Sequence, residues 1–327
     1  MRRPAAVIGL VMSAIVIPVV APIALVVAGI IELVRRDSRF RRVRAVLLIS
    51  GLVLVDFAGM VITATVWLFS PVGMGVNRPK IQERYGTVMT WWTNRLLAVI
   101  SRTAPLPLDL SQLDPELLAG NAIVIGRHRS LLDAILPSVI LGNQGRMVRY
   151  TLKDDLQYNI NIDLVGQRMG HVFVNRSPKD LERQLEPIRE LGRTIDEDSV
   201  GVIFPEGTFF NEKRKARAVA ALRRRDPRHA DIAETMQYLL PPRPAGTLAL
   251  LEGAPDADIV VLGHVGFEKL GTLRSIFENL GANHSIVAKA WRFARADVPN
   301  EPSAQIDWLF DRWKELDVWV ARNQPQL

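Results

Sequence analysis

A histidine at 128 and an aspartate five positions on, in Gly126-Arg127-His128-Arg129-Ser130-Leu131-Leu132-Asp133, are the residue types of a general base and the carboxylate that orients it. An imidazole titrates near neutrality and can take a proton from a weak nucleophile. A carboxylate on its other nitrogen fixes the tautomer and stabilises the imidazolium. The spacing asks for a compact turn between the two. Residues 122–125 are an apolar run that predicts a buried strand ending at Gly126, and 134–141 predict a mainly apolar helix. His128 is then expected at the exit of a strand and Asp133 near the start of a helix. The competing reading is a packed histidine beside a helix-end aspartate.

Further strands are predicted at 147–152, 171–174, 200–204, 258–262 and 285–290, alternating with helical stretches. Ser177-Pro178-Lys179-Asp180 reads as a helix start, with a capping hydroxyl, a first-turn proline and an acid three residues on. The pattern predicts an α/β core with a mostly parallel or mixed sheet flanked by helices. In such folds functional residues gather where strands end. Arg176 and Glu206 follow strands as His128 does, and Glu206 lies in Pro205-Glu206-Gly207-Thr208.

The chain has 327 residues and no cysteine, which excludes disulfides and thiolate chemistry. Its five histidines have no metal-ligand spacing, so no metal is expected. The net charge of +7 fits nucleic acid, anionic lipid or phosphorylated substrates. No nucleic-acid-binding motif is found, and two apolar stretches favour the phospholipid membrane. Residues 5–31 and 45–69 are each long enough to cross the hydrocarbon, though Pro18, Pro22 and Asp56 interrupt them. Asp56 is expected to pack or cap between helices. The basic loop at 35–44 predicts a cytoplasmic position, as do Arg2, Arg3, Arg78, Lys80 and Arg84. A kinked, partly inserted hairpin with its loop and both ends at one face satisfies all of them.

The expected organisation is a membrane-embedded helical hairpin at 1–70, a connecting helix and linker at 71–120, a core at 121–295 and an amphipathic C-terminal helix at 296–327. Within the connector, 103–115 reads as a linker or irregular edge. In the last helix Ile306, Leu309, Phe310, Trp313, Leu316 and Val320 form a core-facing stripe, while Trp308 and Trp319 lie off it and are candidates for a membrane interface. Half of the basic residues in 212–228 are expected to be solvated. The rest are candidates for lipid phosphates or the phosphates of an acyl carrier.

Four blocks in order resemble the 1-acyl-sn-glycerol-3-phosphate acyltransferase family: His128 with Asp133, Gly170-His171-Val172-Phe173-Val174-Asn175-Arg176, Phe204-Pro205-Glu206-Gly207-Thr208, and the proline-rich turn from Pro242 to Gly246. Tyr150-Thr151-Leu152-Lys153, the turn at 240–246 and the long basic insert before it are most similar to the lysocardiolipin and lysophosphatidylinositol acyltransferase branch. Phe209 stands where many members carry arginine. The resemblance implies transfer of a fatty acyl group from acyl-CoA or acyl carrier protein to the free hydroxyl of a lysophospholipid, lysophosphatidic acid by default, with no cofactor.

It further implies His128 as base and Asp133 as its orienting partner. Arg176, then Lys153, then Arg243 would meet the acceptor phosphate. Glu206 would bind the acceptor's glycerol hydroxyl or fix its loop, and Gly207 and Thr208 would offer backbone N–H groups to acceptor or oxyanion. The expected location is a bacterial inner membrane with the core on the cytoplasmic side. A non-catalytic lipid-binding protein and a membrane-tethered nucleic-acid binder are the competing classes.

Overall fold

The sequence Ala-Ile-Val-Ile-Gly at 122–126 has no polar side chain, so as a strand it must be covered on both faces. In the computed structural model, which describes residues 2–70, 79–130, 132–175, 181–271, 273–282 and 285–324, it is the fully buried strand at the centre of a seven-stranded sheet. The strands are β1 (Leu108–Gln112), β2 (Ala122–Gly126), β3 (Met147–Lys153), β4 (Val172–Val174), β5 (Ser199–Ile203), β6 (Asp258–Val265) and β7 (Ile286–Phe293). Their order is β1-β7-β6-β2-β5-β3-β4. Strands β6, β2, β5, β3 and β4 run parallel, whereas β7 is antiparallel to β6 and carries β1 alongside it. The sheet is therefore mixed, and five strands deliver their C-terminal ends to one edge. The stretch read as a linker or irregular edge contains β1, whose register with β7 shifts between Asp109 and Gln112.

The helices are α1 (Arg2–Arg35), α2 (Arg41–Leu68), α3 (Pro79–Thr103), α4 (Leu136–Gly142), α5 (Ile160–Met169), α6 (Leu181–Arg193), α7 (Glu212–Arg223), α8 (Pro227–Thr235), α9 (Pro244–Gly253), α10 (Leu273–Asn279) and α11 (Pro302–Asn323). Alternation along the strands separates two cores. Val124, Val202, Val260 and Leu262 face Ile100 of α3 and Ile140 of α4, with Leu48 and Leu52 of α2 packed behind. Ile123, Ile125, Ile259 and Val261 face Ile188 of α6, Leu250 of α9 and Trp313 of α11. Trp308 and Trp319, candidates for a membrane interface, instead pack edge-to-face on Phe293 and Trp291 of β7, each at 5.4 Å. The β7 aromatics project toward α11 and complete a second row of contacts beside its main stripe.

Helices α1 and α2 are long and apolar enough to cross a membrane, and their outer faces leave Ile8, Ile15, Val19, Ile23, Leu33 and Trp67 exposed. Polar contacts fasten the pair to the core at several points. Arg3 Nε donates to Asp163 of α5 at 2.5 Å, and Arg44 at the loop end donates to the Thr103 carbonyl of α3 at 3.1 Å. Midway, Asp56 accepts from Trp92 Nε1 at 2.8 Å and Asn159 Nδ2 at 3.2 Å, and Asn161 Nδ2 donates to its carbonyl at 2.8 Å. The packing role expected for Asp56 is thus filled by partners on α3 and at the head of α5. The hairpin lies along the core with both of its ends in contact.

Asp56→Ala strands the buried Trp92 N–H and is expected to destabilise the detergent-solubilised protein by about 1–3 kcal/mol. Thermal unfolding of Asp56→Ala, Trp92→Phe and the double variant checks this. The double variant should be less destabilised than the sum of the singles, since the two share one interaction.

Candidate active site

After Gly126 the chain leaves the sheet and the next two side chains part. Arg127 turns inward and is fully buried, whereas His128 lies at the surface of the C-terminal edge with its ring 16% exposed. Residues 132–135 form turns and α4 begins at Leu136, two residues later than expected, with Pro137 in its first turn. The Asp133 carboxylate points back toward the strand. Its Oδ2 accepts the backbone N–H of Arg129 and, at 2.9 Å, that of Ser130. Its Oδ1 faces His128 Nδ1 at 3.5 Å, and neither atom has another hydrogen-bond partner among the described residues. The opposite edge of the imidazole, Nε2, is left for a ligand. Phe204 stacks on the ring at 4.7 Å and Phe209 tilts against it at 4.4 Å. Gly126 permits this packing, because a Cβ there would stand 2.7 Å from the Phe204 ring.

A second imidazole, which sequence reasoning missed, completes the set. His264 is buried near the end of β6 with Nε2 3.4 Å from Asp133 Oδ2 and 3.2 Å from the Arg127 carbonyl. Both neighbours are acceptors, so Nε2 carries the proton. The Arg127 guanidinium reaches the His264 carbonyl at 2.5 Å and Glu268 at 2.6 Å, tying the ends of β2 and β6 together. The one signal for His264 in the sequence was its position near a strand end, as for His128. Burial opposes ionisation of Asp133, but the imidazoles of His128 and His264 outweigh it and hold the carboxyl below the ordinary carboxylate range.

Glu206 is buried beneath the site, and both its oxygens are used by backbone. Oε1 accepts from the His128 N–H at 2.7 Å and Oε2 from the Leu240 N–H at 3.0 Å. It ties together the two segments that flank the site. Gly207 adopts φ +66° and its N–H donates to the Phe204 carbonyl at 3.0 Å, so that N–H is not free. Thr208 is half-buried in the same loop. Arg243 is exposed, its backbone N–H bonds the Pro205 carbonyl at 2.9 Å, and its side chain lies over Gly207. Lys153 ends β3 at the same sheet edge, where Asp155 holds its ammonium. Arg176 and the expected helix start at 177–180 lie outside the described residues. Helix α11 supports the 237–243 loop, since Asp317 accepts three of its N–H groups and Trp313 Nε1 donates to the Leu240 carbonyl at 3.1 Å.

Residues 109–246 match the model of a protein family described as Acyltransferase, and the span includes His128, Asp133 and Glu206. No curated protein sequence matches the chain. Among solved structures the chain is similar to the crystal structure of the 1-acyl-sn-glycerophosphate (LPA) acyltransferase PlsC from Thermotoga maritima, with TM-score 0.54 and 14% identity over 84% of this chain and 96% of that one. The likeness establishes a shared α/β fold.

Burial pushes the Glu206 carboxyl up to about 8 from the ordinary 4.5, against the pull of its two backbone donors and Arg127. In that interval the folded protein holds a proton that the unfolded chain has released. The stability contribution is therefore full below pH 4.5 and is lost as pH rises through about 8, by up to roughly 5 kcal/mol. The unfolding midpoint is expected to fall between pH 5 and 8, and Glu206→Gln should flatten that dependence while lowering stability at pH 5, because an amide nitrogen cannot accept the second N–H.

Proposed function

We propose that the protein is a membrane-bound acyltransferase that moves a fatty acyl group from a thioester, acyl-CoA or acyl carrier protein, to the free hydroxyl of lysophosphatidic acid, giving phosphatidic acid. One observation carries the reading: a buried carboxylate, held by backbone and a second imidazole, faces Nδ1 of a histidine whose other edge is open, inside the segment that matches the Acyltransferase family.

A hydroxyl attacks a thioester slowly at neutral pH unless a base takes its proton as the new C–O bond forms. His128 Nε2 is that base. As the tetrahedral intermediate collapses, the C–S bond breaks and the imidazolium returns the proton to the leaving thiolate. Asp133 keeps the proton on Nδ1 and stabilises the cation. His264 acts through Asp133 as a positioning residue, because its N–H helps hold Oδ2 and leaves Oδ1 toward His128. Phe204 and Phe209 restrict water at the ring. Arg176, Lys153 and Arg243 are the proposed phosphate partners, with Thr208 beside them. Lysophosphatidylinositol, lysophosphatidylglycerol and lysocardiolipin are the acceptors to compare, given the branch that Tyr150-Thr151-Leu152-Lys153 and the 240–246 turn resemble.

The hairpin is proposed to lie partly inserted in a bacterial inner membrane, with the core on the cytoplasmic side. Contacts from Arg3 at one end of the hairpin and Arg44 at the other, both to the core, support an in-plane placement. The chain has no cysteine, so Ser38→Cys and Glu197→Cys can be labelled singly in oriented membranes. Both should react from the same side, and opposite-side reaction would rule the placement out.

Detergent-purified protein should form phosphatidic acid from palmitoyl- or oleoyl-CoA and lysophosphatidic acid. His128→Ala should lose roughly 100- to 10,000-fold of that rate. His264→Leu should lower kcat with KM little changed, and His264→Gln should recover part of it. An active His128→Ala protein would overturn the reading. Silence across the full panel of acceptors and donors would leave the lipid-binding class.

A further inference from the structure

A group of eight basic residues between 213 and 228 begins at the mouth of the site. Helix α7 starts three residues after Phe209, whose ring touches His128, and Arg214 Nη1 donates to the Phe209 carbonyl at 2.9 Å. At 3.6 residues per turn, Lys213, Arg217 and Arg224 fall within about 40° of one another, in a line about 16 Å long. Val219 is buried and Leu222 packs on the core from the opposite arc.

Lys213, Arg217 and Arg224 are exposed, and among the described residues none has an ion-pair or hydrogen-bond partner for its side chain. Several of their neighbours differ. Arg223 pairs with Asp231 at 2.9 Å and Glu234 at 2.8 Å, Arg228 pairs with Asp307, and Lys215 reaches the Met236 carbonyl. The paired cations hold α7, α8 and α11 together, whereas the three in the stripe hold nothing among the described residues.

Shape and position select the occupant. The phosphates of a single nucleotide ask for donors that converge, and three cations spread along a convex helix do not. The apolar hairpin lies across the sheet from them. Leu48 and Leu52 of the apolar hairpin pack on the core that contains Val124 and Leu262, while Leu222 and Ile232 pack on the opposite core with Ile123 and Val261. The stripe therefore lies on the face away from the hairpin. A line of cations beside the site fits an acidic helix of a soluble protein, by charge complementarity along its length.

We propose that Lys213, Arg217 and Arg224 are the docking surface for an acidic acyl carrier protein, which presents its acyl thioester to His128. The proposal rests on the acyl-transfer reading and names the donor for that site. The test uses the full-length protein in detergent with lysophosphatidic acid, comparing palmitoyl-acyl carrier protein with palmitoyl-CoA for the parent and the K213E/R217E/R224E variant. The variant's kcat/KM is expected to fall about tenfold or more with the carrier protein and less than about twofold with CoA, and the parent's rate with the carrier protein should fall as salt is raised.

An unchanged CoA rate also shows that the variant folds. Equal losses with both donors, no loss with either, or a parent that uses CoA but not the carrier protein would overturn the proposal. So would a variant whose defect is instead in binding anionic vesicles. A parent silent with both donors over the whole acceptor panel would sink the acyl-transfer reading itself, a result distinct from the others.

Discussion

The site depends on one buried carboxylate. Asp133 has almost no contact with solvent, and a carboxylate in that position is tolerable only where donors surround it. Two donors are local N–H groups supplied by the turn after His128, and the third direction is taken by His264 from a different strand. The ends of β2 and β6 must therefore stay in register for the carboxylate to remain satisfied. Arg127 enforces that register from below through Glu268 and the His264 carbonyl. Only Oδ1 is left, and it faces His128. Orientation of the imidazole follows from where the carboxylate has no other bond to make.

Glu206 performs a related task by other means. It joins the His128 backbone to the Leu240 backbone, and Leu240 in turn accepts from Trp313 of the last helix. Elements far apart in sequence thus meet at two buried acids. Their electrostatics diverge: facing imidazoles hold Asp133 below the ordinary range, whereas burial with neutral amide partners pushes Glu206 up to about 8. One acid is suited to stabilise a developing imidazolium, and the other to act as neutral scaffolding.

Strand β2 was legible because five apolar residues ending in glycine can be little else, and β5 because the apolar run from Val200 to Phe204 stops at Pro205. The strand-end rule then put His128 and Glu206 at one edge of the sheet, where the structure has them. The role of Glu206 as an anchor was one of two alternatives, since local sequence cannot say which N–H groups fold back onto a carboxylate. His264 was not legible as a partner of Asp133. It sits in an apolar strand 131 positions away, and only the parallel pairing of β2 with β6 brings the two together. Strand β1 was obscured by Asp109 and the prolines on either side of it, because an edge strand paired on one side needs neither continuous burial nor strong alternation. Trp308 and Trp319 were misjudged for a tertiary reason, as the aromatics of β7 that they meet lie outside their own helix.

The two faces of the sheet are chemically unlike, and the edge that carries His128 lies between them. One face carries the apolar hairpin, fastened by Arg3, Asp56 and Arg44, with large apolar side chains exposed along it. The other carries α7 with its outward cations. The proposed reaction, which joins a lipid acceptor to a donor from water, needs access from both environments while the proposed base stays in neither. Phe204 and Phe209 meet that need at His128, since they cover the ring without offering a competing hydrogen bond. Phe209 also begins the segment that leads to α7, so the residue that shields the imidazole belongs to the loop that carries the charged helix. A change in that loop would alter both the cover over the His128 ring and the setting of the basic face, which gives the long insert a place in the proposed chemistry rather than only on the surface.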